Sequence, residues 1–334
     1  MPQVITLGSA TSDIFVLTSE TRILPGVSAT CEKLVAFELG AKIPVGRIQS
    51  GIGGAAANVA IGLCRLGIEV KPCVALGADE IGESIERTFQ KEKISTDLCH
   101  FVNGKGSDQS VILVEPLKRD RTVFYSREAG DRLRLNKISQ WKTEWLFISS
   151  LAGDWKGKLS QILKLRKDKG VKIAWNPGQA QIQAGVKFLA PLLRETSLLF
   201  LNWDEALDLA LSDPIFREKY ARRKPPQKAL LRFLRETGAQ VSIVTLGRQG
   251  SLAVDESGFY EAPSLMTKPV ELTGAGDAYA SGFLASWVKD LGNVSRAMSW
   301  GVANAGSVVL YFGAQKGLLT EKKIEKKFNE ILAD

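Results

Sequence analysis

Apolar positions in this chain follow two rhythms. Runs at 4–7, 70–76, 145–151, 171–176, 197–201 and 241–246 are apolar nearly throughout and have the length of strands buried on both faces. Stretches with helical spacing lie between most of them, often with basic residues on the polar side. Strands alternating with helices predict an α/β fold with a mainly parallel, doubly wound sheet. Two segments depart from this. Between 14 and 50, Phe15 with Leu17, then Val35, Phe37 and Leu39, fall at the period-two spacing of half-exposed strands. Residues 110–126 are also strand-rich, with apolar runs at 111–114 and 122–125. Together these predict a small β sheet covering a cleft, a lid of segments approximately 14–50 and 100–128 within one domain spanning 1–334. No repeat of about 20–50 residues and no low-complexity tract interrupts the pattern.

Composition narrows the class. Apolar content of 45% and charged content of 24% are those of an ordinary globular protein. No apolar run reaches the length of about 18 residues that a membrane helix needs. The start, MPQVITLGSATSD, lacks the basic-then-apolar layout of a signal peptide. Cys31, Cys64, Cys73 and Cys99 form no C-x-x-C pair and His100 is the single histidine, so a structural zinc site is not expected. The cysteines read as buried apolar residues of a reducing, cytoplasmic protein. The net charge of +8 sits mainly in 156–172, 217–235 and 322–327, interleaved with apolar and acidic residues. These are solvated helix faces, and no nucleic-acid or membrane partner is expected.

Candidate chemistry concentrates at 270–282, reading VELTGAGDAYASG. A glycine turn opening a helix leaves backbone N–H groups unpaired in front of the positive end of the helix dipole, a ready anion site. Asp277 inside that turn is either a helix cap or a base taking a proton from something that attacks the anion. This stretch alone leaves both open. Asp13 follows the first strand, where parallel sheets bind ligands, though it also suits a turn. Residues 51–58, GIGGAAAN, match G-x-G-x-x-A, so a dinucleotide-binding oxidoreductase is an alternative. The context opposes it: the preceding residues include Pro44, and Glu69 begins the next strand instead of ending it. Polar residues also recur where strands end, at Asn176-Pro177-Gly178, Asn202-Trp203-Asp204-Glu205 and 245–250.

With these residues in view, the chain resembles the PfkB, or ribokinase, family of carbohydrate kinases over nearly its whole length. Gly53-Gly54-Ala55-Ala56-Ala57-Asn58 with Leu66-Gly67 carries one signature, and Thr273-Gly274-Ala275-Gly276-Asp277-Ala278 with Gly282-Phe283 carries the other. Asn202-x-x-Glu205, Thr245-Leu246-Gly247-x-x-Gly250 and Gly313-Ala314 follow in the family's order. The resemblance implies a ribokinase-like three-layer sandwich with a small β lid, and ATP-dependent phosphorylation of a hydroxymethyl group. By the same carry-over Asp277 is the general base, and the N–H groups of Gly274, Ala275 and Gly276 form the anion hole. Asp13, Gly53, Gly54 and Asn58 hold substrate. Asn202, Glu205, Thr245, Gly247, Gly250 and Asn304 serve the nucleotide, with Glu205 near Mg²⁺ through water.

The family's usual Asp-Thr ahead of the second signature, a region that often binds a monovalent cation, is here Glu271-Leu272, which leaves potassium activation open. The Arg that often follows the Asn-Pro motif is replaced by Gly178-Gln179. The expected substrate is a small ribose- or fructose-like sugar. A nucleoside of adenosine type is the alternative, favoured if Phe15, Phe37 or Phe124 stacks on a base. The resemblance also implies a homodimer formed through the lid. The sequence has no G-x-x-x-x-G-K-[ST] loop and no protein-kinase signature.

Overall fold

The first strand, β1 (Val4–Gly8), is buried at every position because its side chains feed two separate cores. Val4 packs with Val70, Trp145, Phe147 and Phe200 on one side, while Ile5 and Leu7 join Leu146, Ile148 and Ile173 on the other. A sheet covered on both faces needs apolar residues in both registers, which is why these strands read as continuous apolar runs. The computed structural model describes residues 3–28, 31–115, 120–265 and 268–333.

Among the described residues the central sheet has nine strands. From one edge they run β15 (Phe259–Ala262), β14 (Ser251–Val254), β13 (Val241–Thr245), β12 (Leu198–Asn202), β11 (Lys172–Trp175), β10 (Trp145–Ile148), β1, β6 (Val70–Gly77) and β7 (His100–Val102). All neighbours are parallel except the last two pairs at the β15 edge. One face carries α1 (Ala55–Arg65), α2 (Glu80–Lys91), α9 (Ala275–Lys289), α10 (Val294–Val308) and α11 (Glu321–Ala333). The other carries α3 (Trp155–Lys169), α4 (Gln179–Gln183), α5 (Gly185–Leu193), α6 (Trp203–Leu211), α7 (Pro214–Tyr220) and α8 (Gln227–Glu236). The result is a three-layer α/β sandwich. The basic stretch at 156–169 is α3, which buries Leu159, Ile162 and Leu165.

The lid is a second sheet in which β2 (Thr11–Leu17) lies between β5 (Arg47–Gly53), antiparallel, and β8 (Gln109–Glu115), parallel; β9 (Asp120–Ser126) closes the far side. A separate hairpin, β3 (Arg22–Ser28) and β4 (Cys31–Ala36), extends from it. Two expectations are corrected here. Residues 100–102, placed by sequence in the lid, pair with 75–77 as the edge of the main sheet. Asp13, open to a loop or turn reading, is a strand residue paired with Gly51 and Ser110. Cys64, Cys73 and Cys99 are free thiols, whereas the side chain of Cys31 lies outside the described residues.

Candidate active site

Alternation along β2 decides where Asp13 points. Thr11, Asp13 and Phe15 are buried while Ser12, Ile14 and Val16 are partly exposed, so the carboxylate shares the inner face with an apolar ring. Thr11 Oγ1 donates to Asp13 Oδ1 at 2.8 Å. Across the strand pair, a Cβ at Gly53 would lie 1.8 Å from Asp13 Oδ2. Glycine at 53 therefore makes room for the carboxylate. Burial pushes the Asp13 carboxyl up, hydrogen bonds from Thr11 and Ser110 pull it down, and the Glu271 charge adds to the rise.

The two signatures converge through helix N-termini. Gly54 caps α1 with φ of +87°, and α1 carries Asn58 in its first turns, its N–H bonded to Gly54 O at 2.9 Å. Gly274 caps α9 with φ of +78°, a conformation costly for residues with a Cβ; a Cβ there would also sit 2.3 Å from Ala314 Cβ. Ala275 and Gly276 follow in the first turn; the Ala275 N–H donates to Leu272 O at 3.3 Å, and that of Gly276 has no partner within the helix. A Cβ on Gly276 would meet nothing within 4 Å, so this end of α9 faces open space.

Asp277 stands next in that turn, partly buried, and Asn58 Nδ2 donates to its Oδ2 at 2.8 Å across 219 residues of sequence. Burial raises the Asp277 carboxyl to about 6; the Asn58 hydrogen bond opposes the rise and the Asp13 charge reinforces it. Asp13, Gly53, Gly54, Asn58 and Asp277 thus form one constellation between lid and sheet. Asn58, expected at substrate hydroxyls, has one protein partner at each polar atom, its Oδ1 accepting from Gln315 Nε2 at 3.0 Å. Gln315 was missed by sequence reasoning, although it directly follows Gly313-Ala314.

The other strand ends form a neighbouring cleft. Asn202 and Glu205 make a reciprocal cap of α6, each backbone N–H donating to the other's side chain at 2.9 Å. The Glu205 carboxyl is pushed up by burial, pulled down by the Asn202 N–H, and raised again by the charge of Asp277. Asn202, Thr245 and Gly247 line a cleft of about 310 Å³ together with Trp203, Asp204, Lys224, Gln227 and Gln249. Lys224 Nζ lies 5.0 Å from the centre of the Trp203 ring.

Two expected nucleotide residues stand elsewhere. Gly250 accepts from Leu246 N at 2.8 Å and turns the chain into β14. Asn304 is fully buried and donates to Ala278 O and Ser281 Oγ while accepting from Leu319 N. Those bonds tie α9 to α10.

Among the described residues no group of three or more His, Cys, Asp or Glu is arranged to hold a metal. Glu271 is buried, its Oε1 accepting from Thr273 N at 2.7 Å and from the Thr273 hydroxyl, while its Oε2 has no hydrogen-bond partner. The G-x-G-x-x-A segment runs from the end of β5 into α1, and β5 is a lid strand antiparallel to β2, not the first strand of a dinucleotide-binding unit.

This sandwich, with two glycine-capped helices meeting at a carboxylate beside a strand-end cleft, is that of a phosphotransferase, and residues 24–321 match the pfkB family of carbohydrate kinases. The chain belongs to that family and is an ATP-dependent kinase. It is similar to a nucleoside kinase of Methanocaldococcus jannaschii, 25% identical over 285 residues, covering 83% of this chain and 85% of that one. It is equally similar to a ribokinase of Lactococcus lactis, 24% identical over 294 residues, covering 84% and 86%. The crystal structure of the Methanocaldococcus nucleoside kinase superposes with a TM-score of 0.75 over 98% of both chains at 23% identity, which supports the fold.

Proposed function

We propose that this kinase phosphorylates a hydroxymethyl group of a small ribose- or fructose-like sugar, with Asp277 as general base. The observation that carries the reading is the placement of Asp277: a carboxyl titrating at about 6, in the open first turn of α9 and fixed by Asn58. A base with a value near the working pH combines sufficient ionisation with useful basicity. Asp277 accepts the hydroxyl proton as that oxygen bonds to the γ-phosphorus and the bond to the departing ADP oxygen breaks. The N–H groups of Gly274, Ala275 and Gly276 receive the negative charge of the transferring group, and one such donor contributes about 3 kcal/mol in enzymes that use them. Asp13, turned inward beside Gly53, accepts hydrogen bonds from sugar hydroxyls.

The cleft at Asn202, Thr245 and Gly247 is assigned to the nucleotide, with Trp203 and Lys224 offering an aromatic face and a cation. Magnesium, when bound with the nucleotide, would offset phosphate charge, and we assign Glu205 to it through water because Asn202, with which it caps α6, lines this cleft. The unpartnered Oε2 of Glu271 likewise suits a monovalent cation. A nucleoside acceptor is the second reading, favoured by the similarity to the Methanocaldococcus enzyme. Phe15 is packed into the lid core and is not free to stack on a base, and Phe124 pairs with Val111 on the lid face opposite Asp13, which leaves exposed Phe37 for that role.

ADP release measured with Mg²⁺ across ribose, fructose, deoxy-sugar acids, sugar phosphates and nucleosides tests the assignment. Turnover on a free pentose or hexose is expected. Turnover confined to nucleosides would establish the second reading, and none on any free sugar or nucleoside would refute both.

A further inference from the structure

Asn58 has two polar ends, and one arrangement of them serves Asp277. Its NH₂ faces the carboxylate at 2.8 Å and its oxygen faces the Gln315 NH₂ at 3.0 Å. Turned over, the amide would set oxygen against oxygen at Asp277. Asn58 is only 3% exposed, so solvent would not relieve that contact.

Gln315 is itself anchored. Its carbonyl accepts from Arg65 Nη1 at 2.7 Å, and Arg65 is clamped by two hydrogen bonds to the Glu92 carboxylate. The adjoining Ala314 packs against the Gly274 cap. Residues 313–315 therefore bridge the starts of α1 and α9, where the two signatures meet.

We propose that Gln315 is a positioning residue for phosphoryl transfer. By donating to Asn58 Oδ1 it holds the Asn58 amide with its NH₂ toward Asp277. One carboxylate oxygen is thereby occupied and the other is left for the substrate proton. The proposal rests on the reading of Asp277 as base.

Two substitutions separate this role from simple packing. Gln315→Met keeps length and bulk but removes the donor. Gln315→Glu keeps the shape but puts an acceptor where the donor was, so the Asn58 amide must turn its oxygen toward one carboxylate or the other. Steady-state kinetics with ATP and the best acceptor of the panel should show kcat lowered about tenfold for Gln315→Met, the size of one hydrogen bond to a charged group, and further for Gln315→Glu. KM for ATP should stay within about twofold. In an Asn58→Ala background, Gln315→Met should have no further effect, since its partner is gone.

An equal Gln315→Met effect with and without Asn58, or wild-type kcat in Gln315→Glu, would overturn the proposal. Should Gln315→Glu not fold, Gln315→Met and the Asn58 cycle decide alone. Asp277→Asn, measured alongside, keeps the two readings apart. An active Asp277→Asn enzyme overturns both, whereas an inactive one beside unaffected Gln315 variants overturns the positioning role only.

Discussion

At the scale of single residues, Asp277 governs the expected behaviour with pH. A base works when deprotonated, so kcat/KM should fall as pH drops through about 6, the value to which burial raises this carboxyl. Stability should move oppositely. The folded value lies above the unfolded value of 3.8, so the folded state holds its proton more tightly. No penalty exists below 3.8; it grows between 3.8 and about 6 and is complete above that. Asp277→Asn should therefore melt higher than wild type at neutral pH, with the advantage vanishing in acid, as thermal unfolding at several pH values would show. An advantage that persisted below 3.8 would contradict the burial account. The sequence exposed Asp277 because a glycine turn flanked it. The partners of the Asn58 amide were not legible, because Gln315 and Asp277 lie 257 and 219 residues away and no local pattern encodes them.

Elements place these residues, and two glycines show how. Gly53→Ala sets a methyl against the Asp13 carboxylate, which must then swing aside. A displacement of about 1 Å at a site can cost roughly a hundredfold in kcat/KM, and a fall of that order is expected in kinetics with the best sugar, with little change in melting. Gly274→Ala combines a left-handed backbone with a clash against Ala314. It should destabilise by about 1–2 kcal/mol or more in denaturant unfolding and also abolish the anion site. The strands at the centre of the sheet were legible because double-sided burial leaves continuous apolar runs. The strand at 100–102 was not, since three partly exposed residues at a sheet edge have no pattern to read. Likewise Lys224 and Gln227 gave no signal, because the cleft brings them to Thr245 only through tertiary packing.

At the scale of the whole molecule, the lid has an apolar face on the side away from Asp13. On that face Ile48, Val111 and Phe124 are between 40% and 64% exposed, more apolar surface than a solvated sheet face needs. We assign it to pairing of two lids in a homodimer. Sedimentation should show a dimer that Phe124→Glu turns into a monomer with the fold retained; a wild-type monomer at micromolar concentration would remove the assignment. Val35 falls in the separate β3–β4 pair and Phe37 and Leu39 in no strand, but the period-two pattern at Phe15 and Leu17 foretold part of this sheet. It could not foretell what covers it, because apolar alternation looks the same against a core as against a second subunit.

The direct test of the central claim is single-turnover phosphoryl transfer by Asp277→Asn, with ATP binding measured on the same preparation. Loss of the base should lower the transfer rate by about 10²–10⁴ with nucleotide affinity unchanged. Transfer at the wild-type rate would contradict the assignment of Asp277 and the mechanism built on it.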